Sequence, residues 1–283
     1  MTEYPKKVYL NGKILNHSEA KISVFDRGFL FGDSIYEVVA QINGKFFYGQ
    51  KHFQRLDKSL KKVDITFDKS ILESSIHKLL EASDLTGQDC ILYIQVTRGI
   101  APRAHSYPQN VAPTLMMYAS RKTLPDINQT HASVITIPDQ RWLRCDIKTT
   151  SLIGNVMAND HVTKQGYYEA LFVRNGVITE ASHCNVFFVK NNVIYTHPAN
   201  EFILNGITRQ IVLEICSDLH LEVREEAIQQ NSINQMHEAF LTGTTVQIAS
   251  VRQIDDHIFY DGEESGEVVK KLQQAFLKIK DKQ

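Results

Sequence analysis

The sequence predicts an α+β protein of two domains, on three observations. Its 283 residues exceed the roughly 100–200 of one typical domain. Strand-like and helix-period runs are mixed without the regular βαβ rhythm of a doubly wound sheet. A polar stretch, RKTLPDINQTHA, has one proline and no apolar period, as a linker would. The boundary is therefore expected near Lys122, giving a smaller domain at 1–121 and a larger one at 122–283.

Each element has its own signal. VYLNGKIL and SIYEVVAQINGKFFYG read as short strands with turns. In the second, Asn43-Gly44 separates two apolar runs, and both residues tolerate φ > 0, as a tight hairpin requires. HFQRLDKSLKKV places Phe53, Leu56, Leu60 and Val63 on one helical face, and SILESSIHKLLEAS does the same with Ile71, Leu72, Ile76, Leu79 and Leu80. The strands CILYIQVTRG and TLMMYAS follow. Beyond the linker, HASVITIP, EALFVRNGVITEA and NVFFVKNNVIYTH read as strands, with turns at Asn175-Gly176 and Asn191-Asn192. Helices are expected at SLIGNVMANDHVTKQG, ITRQIVLEICSDL and GEVVKKLQQAFLKIK.

Composition narrows the function. With 43% hydrophobic residues, 31 Lys plus Arg and 32 Asp plus Glu, the chain has no global field for nucleic acid or an anionic membrane. No stretch approaches the roughly 18 apolar residues of a membrane span, and the N-terminus lacks a signal-peptide core. The expectation is a cytoplasmic protein with small-molecule partners. Four scattered cysteines without a CxxC pair fit reduced thiols, and the eleven histidines show no metal-ligand spacing. No metal is expected.

Dinucleotide, P-loop, zincin and nucleophile-elbow motifs are absent. Anion-binding features are present. In LNGITRQIVLEI, Gly206 allows close backbone approach, and Thr208 opens a helix whose first N–H groups point outward; alone, this is a plain cap and turn. Thr242-Gly243-Thr244-Thr245 clusters hydroxyls around a glycine, which is more often only a turn. Lys148, in RWLRCDIKTTS, lies among apolar residues that favour a nucleophilic amine, though residue chemistry does not single it out from other lysines. APRAHSYP stiffens Arg103 and His105 between prolines, a setting suited to an anion.

In this order, VYLNGKI, DRGFLFGDSIYEV, HFQRLDKSL, TRGIAPRAH, RWLRCDIKTTSL, GYYEALFVRNGVITEASHCNVF, YTHPANEFILNGITRQ and LTGTT resemble the fold-type IV pyridoxal-phosphate aminotransferases, the D-amino-acid enzymes most of all. The resemblance spans nearly the whole chain. It implies a two-domain fold with pyridoxal 5'-phosphate at the domain interface, and a C-terminal domain carrying both the Schiff-base lysine and the phosphate site. Lys148 of the D-I-K motif would be that lysine, and Glu180 would keep the pyridine nitrogen protonated. Arg55, Ile207, Thr208 and Thr244 would bind the phosphate, and Leu204 would pack on the ring. Arg103 and His105 would grip the substrate carboxylate from the neighbouring subunit of a homodimer, with Tyr36 helping.

The implied reaction converts D-alanine and 2-oxoglutarate to pyruvate and D-glutamate. Aminodeoxychorismate lyase and L-branched-chain aminotransferase activities share the fold and stand as alternatives; a non-catalytic cofactor-binding protein is the remaining one, opposed by intact Lys148 and Glu180. The sequence departs from the family pattern at three places. Ser34 stands for an expected glycine, Ser151 for an asparagine, and His183-Cys184 for small serines.

Overall fold

VYLNGKIL folds as two strands, β1 (Lys7–Leu10) and β2 (Lys13–Asn16), because Asn11 and Gly12 take positive φ of 46° and 90° and reverse the chain. The computed structural model describes residues 3–262 and 264–282, and the chain divides into two compact units. One antiparallel sheet, one mixed sheet and their covering helices make the α+β class that the patterning predicts.

The first unit holds the described residues up to Thr123 together with Ile147–Ser151. After β2 come α1 (Arg27–Phe31), β3 (Ser34–Ile42) and β4 (Lys45–Phe46), then α2 (Gly49–Lys62), α3 (Ile71–Ala82), β5 (Cys90–Thr97) and β6 (Thr114–Arg121). The sheet runs β2-β1-β6-β5-β3-β4 and is antiparallel throughout. Asn43-Gly44 makes the β3–β4 turn with φ of 50° and 78°. Leu56 and Leu60 of α2 and Leu72, Ile76 and Leu79 of α3 join Leu92, Ile94 and Met117 of the sheet in one core. Each such fully buried side chain contributes about 1.5–3 kcal/mol relative to exposure.

The Ile147–Ser151 segment corrects one expectation. The Tyr36 N–H donates to the Lys148 carbonyl at 3.0 Å and the Thr150 N–H to the Ser34 carbonyl at 3.1 Å, while Ile147 is buried in the first core. Lys148 therefore belongs to the first unit, not to the C-terminal one. The cause is a short antiparallel return of the chain onto the start of β3.

The second unit holds Leu124–Asp146 and Leu152–Lys282. Its elements are β7 (His131–Pro138), α4 (Ile153–Thr163), β8 (Glu169–Arg174), β9 (Val177–Ala181), β10 (Asn185–Lys190), β11 (Val193–Thr196), α5 (Ile207–Asp218), β12 (Val223–Arg224), β13 (Glu238–Gly243), β14 (Gln247–Ile254), β15 (His257–Ile258) and α6 (Glu267–Lys282). The sheet order is β12-β11-β10-β13-β14-β7-β8-β9, with β15 beside β14. Its central strands are covered on both faces, which explains runs such as VFFV in β10, where every residue is buried. Phe187 and Phe240 stack at 4.8 Å. Helices α5 and α6 pack on β13, and α4 packs on β7 and β8. All four cysteines are buried and free. Among the described residues no helix is long and apolar enough to cross a membrane.

Candidate active site

Two constellations stand out, one in each unit. In the first, the Lys148 ammonium lies 4.2 Å from the centroid of the Tyr36 ring, an electrostatically favourable placement. Tyr36 stacks on Tyr93 at 5.7 Å, and Tyr93 on Tyr118 at 4.9 Å, so its ring is braced across β3, β5 and β6. Two of the departures from the family pattern anchor the lysine's segment. Ser34 Oγ hydrogen-bonds Thr150 Oγ1, and Ser151 Oγ donates to the Gly32 carbonyl at 3.2 Å.

Glu37 follows Tyr36 on β3 and is fully buried. Arg55 grips it bidentately, Nε to Oε2 at 2.9 Å and Nη2 to Oε1 at 2.7 Å, and His52 Nδ1 lies 3.0 Å from Oε1. Burial alone would raise the Glu37 carboxyl; Arg55 and His52 outweigh it and hold the group well below the usual carboxylate range. Burial chiefly lowers His52, and the Lys148 and Arg55 charges add to that. Arg55 thus turns one edge of its guanidinium to Glu37.

Arg103 and His105 are exposed and share one ring: the Arg103 guanidinium lies 5.2 Å, and the His105 ring 5.8 Å, from the centroid of Phe31. Their loop is pinned from beneath. Buried Arg27 donates to the Ala104 carbonyl at 2.6 Å, and buried Arg98 lies 3.5 Å under the Tyr107 ring. Asp33 is counterion to both, accepting from Arg27 Nε at 2.7 Å and from Arg98 at 2.8 and 3.0 Å. Two cations on one carboxylate fix the loop's base while leaving Arg103 and His105 outside.

In the second unit Glu180 lies on β9, 5% exposed. Its Oε1 accepts from Arg141 Nη1 at 2.5 Å, and its Oε2 from Asn185 Nδ2 and from the Leu204 N–H, both at 3.0 Å. Arg141 is itself held by Asp139 at 2.9 and 3.0 Å and lies 4.2 Å over the Phe172 ring. Burial pushes the Glu180 carboxyl up to about 7 against the opposing pull of Arg141 and the Leu204 N–H. Arg141 stays charged, since its two carboxylate partners overcome its own burial.

Leu204 leads into α5, whose N-cap Gly206 makes no side-chain cap and whose first turn carries no acidic residue. Ile207 and Thr208 are buried there. A Cβ on Gly206 would meet Asn185 Oδ1 at 2.2 Å, so only glycine lets the helix start this close. Thr244 lies in the turn after β13. Near it Thr242 pairs with Asn185 across β10 and β13, and its buried hydroxyl has no hydrogen-bond partner among the described residues.

The sequence reading missed Glu37, His52, Asp33, Arg98 and Arg141. A charge inside the apolar run SIYEVVAQI and the i, i+3 spacing of His52 and Arg55 are the signals that mark the first pair.

A family model described as amino-transferase class IV matches residues 34–254. The chain is 38% identical over 272 residues to the D-alanine aminotransferase of Bacillus licheniformis, covering 95% of each. It is 36% identical over 277 residues to the D-alanine aminotransferase of Staphylococcus epidermidis, covering 96% of this chain and 97% of that one. Among solved structures, the branched-chain amino acid aminotransferase of Escherichia coli matches with a TM-score of 0.88 at 23% identity, over 97% of this chain and 94% of that one. The last likeness speaks for the fold.

Proposed function

The chain belongs to the class IV aminotransferases, and from that premise we propose that it moves the amino group of D-amino acids, D-alanine foremost, to 2-oxoglutarate with pyridoxal 5'-phosphate as cofactor. The observation that carries the substrate class is the 38% identity, over 95% of both chains, to a D-alanine aminotransferase.

The residues present fit the cofactor. The uncapped start of α5, with Gly206, Ile207 and buried Thr208, suits a phosphate, because unpaired N–H groups and the helix dipole both favour an anion. The unpartnered Thr242 hydroxyl adds a donor to the same set, beside Thr244. Arg55 is assigned to the phosphate as well, with Glu37 orienting its guanidinium. Glu180 is a buried carboxylate held by a charged arginine and two N–H donors, a stiff acceptor for a protonated ring nitrogen, and Leu204 packs against the ring. Bound there, the cofactor supplies an electron sink for charge developing at the substrate Cα.

Lys148 is the residue assigned to the covalent tether and to moving the Cα proton. Its amine is oriented by the Tyr36 ring and by the backbone pairing of its segment with β3, and such positioning is a large part of what a general base contributes. Arg103 and His105, with Tyr36, are assigned to the substrate α-carboxylate; a guanidinium donates two parallel bonds to such a group.

Because the Arg103 loop is exposed and flanked by exposed Phe25, Phe29 and Ile100, the reading includes a homodimer in which this surface is covered by a second copy. The four free, buried cysteines support a cytoplasmic location.

A single-turnover experiment on the holoenzyme tests the reading. The visible absorbance of the bound aldehyde form should disappear on adding D-alanine or D-glutamate and persist with L-alanine and L-leucine. Conversion by L-leucine alone, or pyruvate release from aminodeoxychorismate without formation of the cofactor's amine form, would overturn it.

A further inference from the structure

His183 and Cys184 stand in the turn from β9 to β10, and amino transfer gives neither of them a task. Both converge on Glu169, the first residue of β8, and one donor atom from each of the three lies within 4.8 Å of the other two. We propose that Glu169, His183 and Cys184 form a binding site for a divalent transition-metal ion of the zinc type, with solvent as the fourth ligand. The inference concerns the second unit alone and does not depend on the substrate assigned above.

The donor set is the first argument. One carboxylate oxygen, one imidazole nitrogen and one sulfur are the ligands that borderline cations such as zinc select, and three protein ligands leave one position open. Two anionic ligands and a neutral imidazole balance a dication, so the occupied centre carries no net charge in an apolar surrounding.

Support behind the ligands is the second. Glu169 is fully buried. Its Oε1 is occupied by Ser182 Oγ at 2.5 Å and by the Ala170 N–H at 2.8 Å, which leaves Oε2 facing the cluster. Cys184 is 4% exposed, and a Cβ on Gly243 would approach its Sγ to 3.2 Å, so the sulfur is held against the backbone of β13. Such outer contacts orient metal ligands in advance.

The third is access and room. The His183 side chain is 51% exposed, and its Nδ1 lies 2.5 Å from Glu169 Oε2. Ligand bonds of about 2.0–2.3 Å in a tetrahedron put neighbouring donors roughly 3.5 Å apart. The imidazole must therefore swing outward by about 1 Å, and it can, being the one ligand at the surface. Without an ion the His183 ring sits directly on the Glu169 carboxylate. Loading would replace the Cys184 thiol proton with the metal and release that proton to solvent, with no change in oxidation state.

Cobalt is the probe. The holoenzyme, dialysed against a chelator, is titrated with Co²⁺ and followed by absorbance. One equivalent should bind with tetrahedral d–d bands and a thiolate-to-cobalt charge-transfer band, both removed by Zn²⁺. Cys184→Ser should abolish the charge-transfer band. His183→Ser, at the surface and safe for folding, should weaken binding at least about tenfold. Binding without a thiolate band, the same spectrum in the His183→Ser and Cys184→Ser variants, or no stoichiometric binding would overturn the proposal.

Discussion

Asn185 Nδ2 donates to Glu180 Oε2 at 3.0 Å and to the Leu204 carbonyl at 2.8 Å. One amide thus ties the carboxylate on β9 to the loop that starts α5. The acceptor assigned to the ring nitrogen and the helix end assigned to the phosphate are held at a fixed separation, so a disturbance at one is felt at the other.

Arg141 is the cation behind Glu180. Replacing it in Arg141→Met leaves a buried carboxylate with N–H donors but no counter-charge. Breaking one partner of such a pair costs about 3–5 kcal/mol when the remaining charge cannot reach water. Urea unfolding of the cofactor-free protein should show a loss of that order, and the affinity for pyridoxal phosphate should fall. Unchanged stability would mean that Asn185 and the Leu204 N–H suffice.

Asp33 touches no assigned ligand residue, yet it neutralises Arg27 and Arg98, which carry the loop of Arg103 and His105. Asp33→Asn should loosen that loop and raise KM for D-alanine by roughly tenfold, with a smaller change in kcat, as expected when positioning for binding is lost. Steady-state kinetics decide it: an equal fall in kcat with KM unchanged would place the role of Asp33 elsewhere.

His52 gives a pH dependence. Its folded-state pKa lies below the ordinary 6.5, so below that pH the unfolded chain takes up a proton that the folded chain resists. The stability from this group is therefore complete above about 6.5 and lost as pH falls toward the folded value. Glu37, also depressed, acts in the same direction further into acid. Chemical denaturation between about pH 7 and pH 5 should give a steeper loss for the wild type than for His52→Gln, by up to about 1.4 kcal/mol per pH unit. Parallel lines for the two proteins would refute the assignment.

Local chemistry carried most of the fold. Asn43-Gly44, Asn175-Gly176 and Asn191-Asn192 all adopt the positive φ that tight turns need, and each separates the strands that its neighbours' patterning indicates. Leu56 and Leu60, or Leu72 and Ile76, reach the core as their helical spacing requires. The site was legible only where a motif is contiguous. The candidates Lys148, Glu180 and Thr208 rest on short motifs, whereas Arg141 meets Glu180 across 39 residues and Arg98 meets Asp33 across 65. No periodicity encodes such pairings; they follow from which strand lies beside which. That Lys148 lies in the first unit and not in the C-terminal one is not legible for the same reason, since nothing in RWLRCDIKTTS announces that five residues return to the other unit.

That return constrains how the chain is made. A nascent polypeptide that has emerged from the ribosome only as far as the linker lacks the hydrogen bonds at Ser34 and Tyr36 and the Ile147 side chain of the first core. The first unit cannot finish before residues that lie beyond part of the second have been translated. A gene cut at the linker would separate the lysine from the unit that holds it and leave the first fragment without Ile147 in its core.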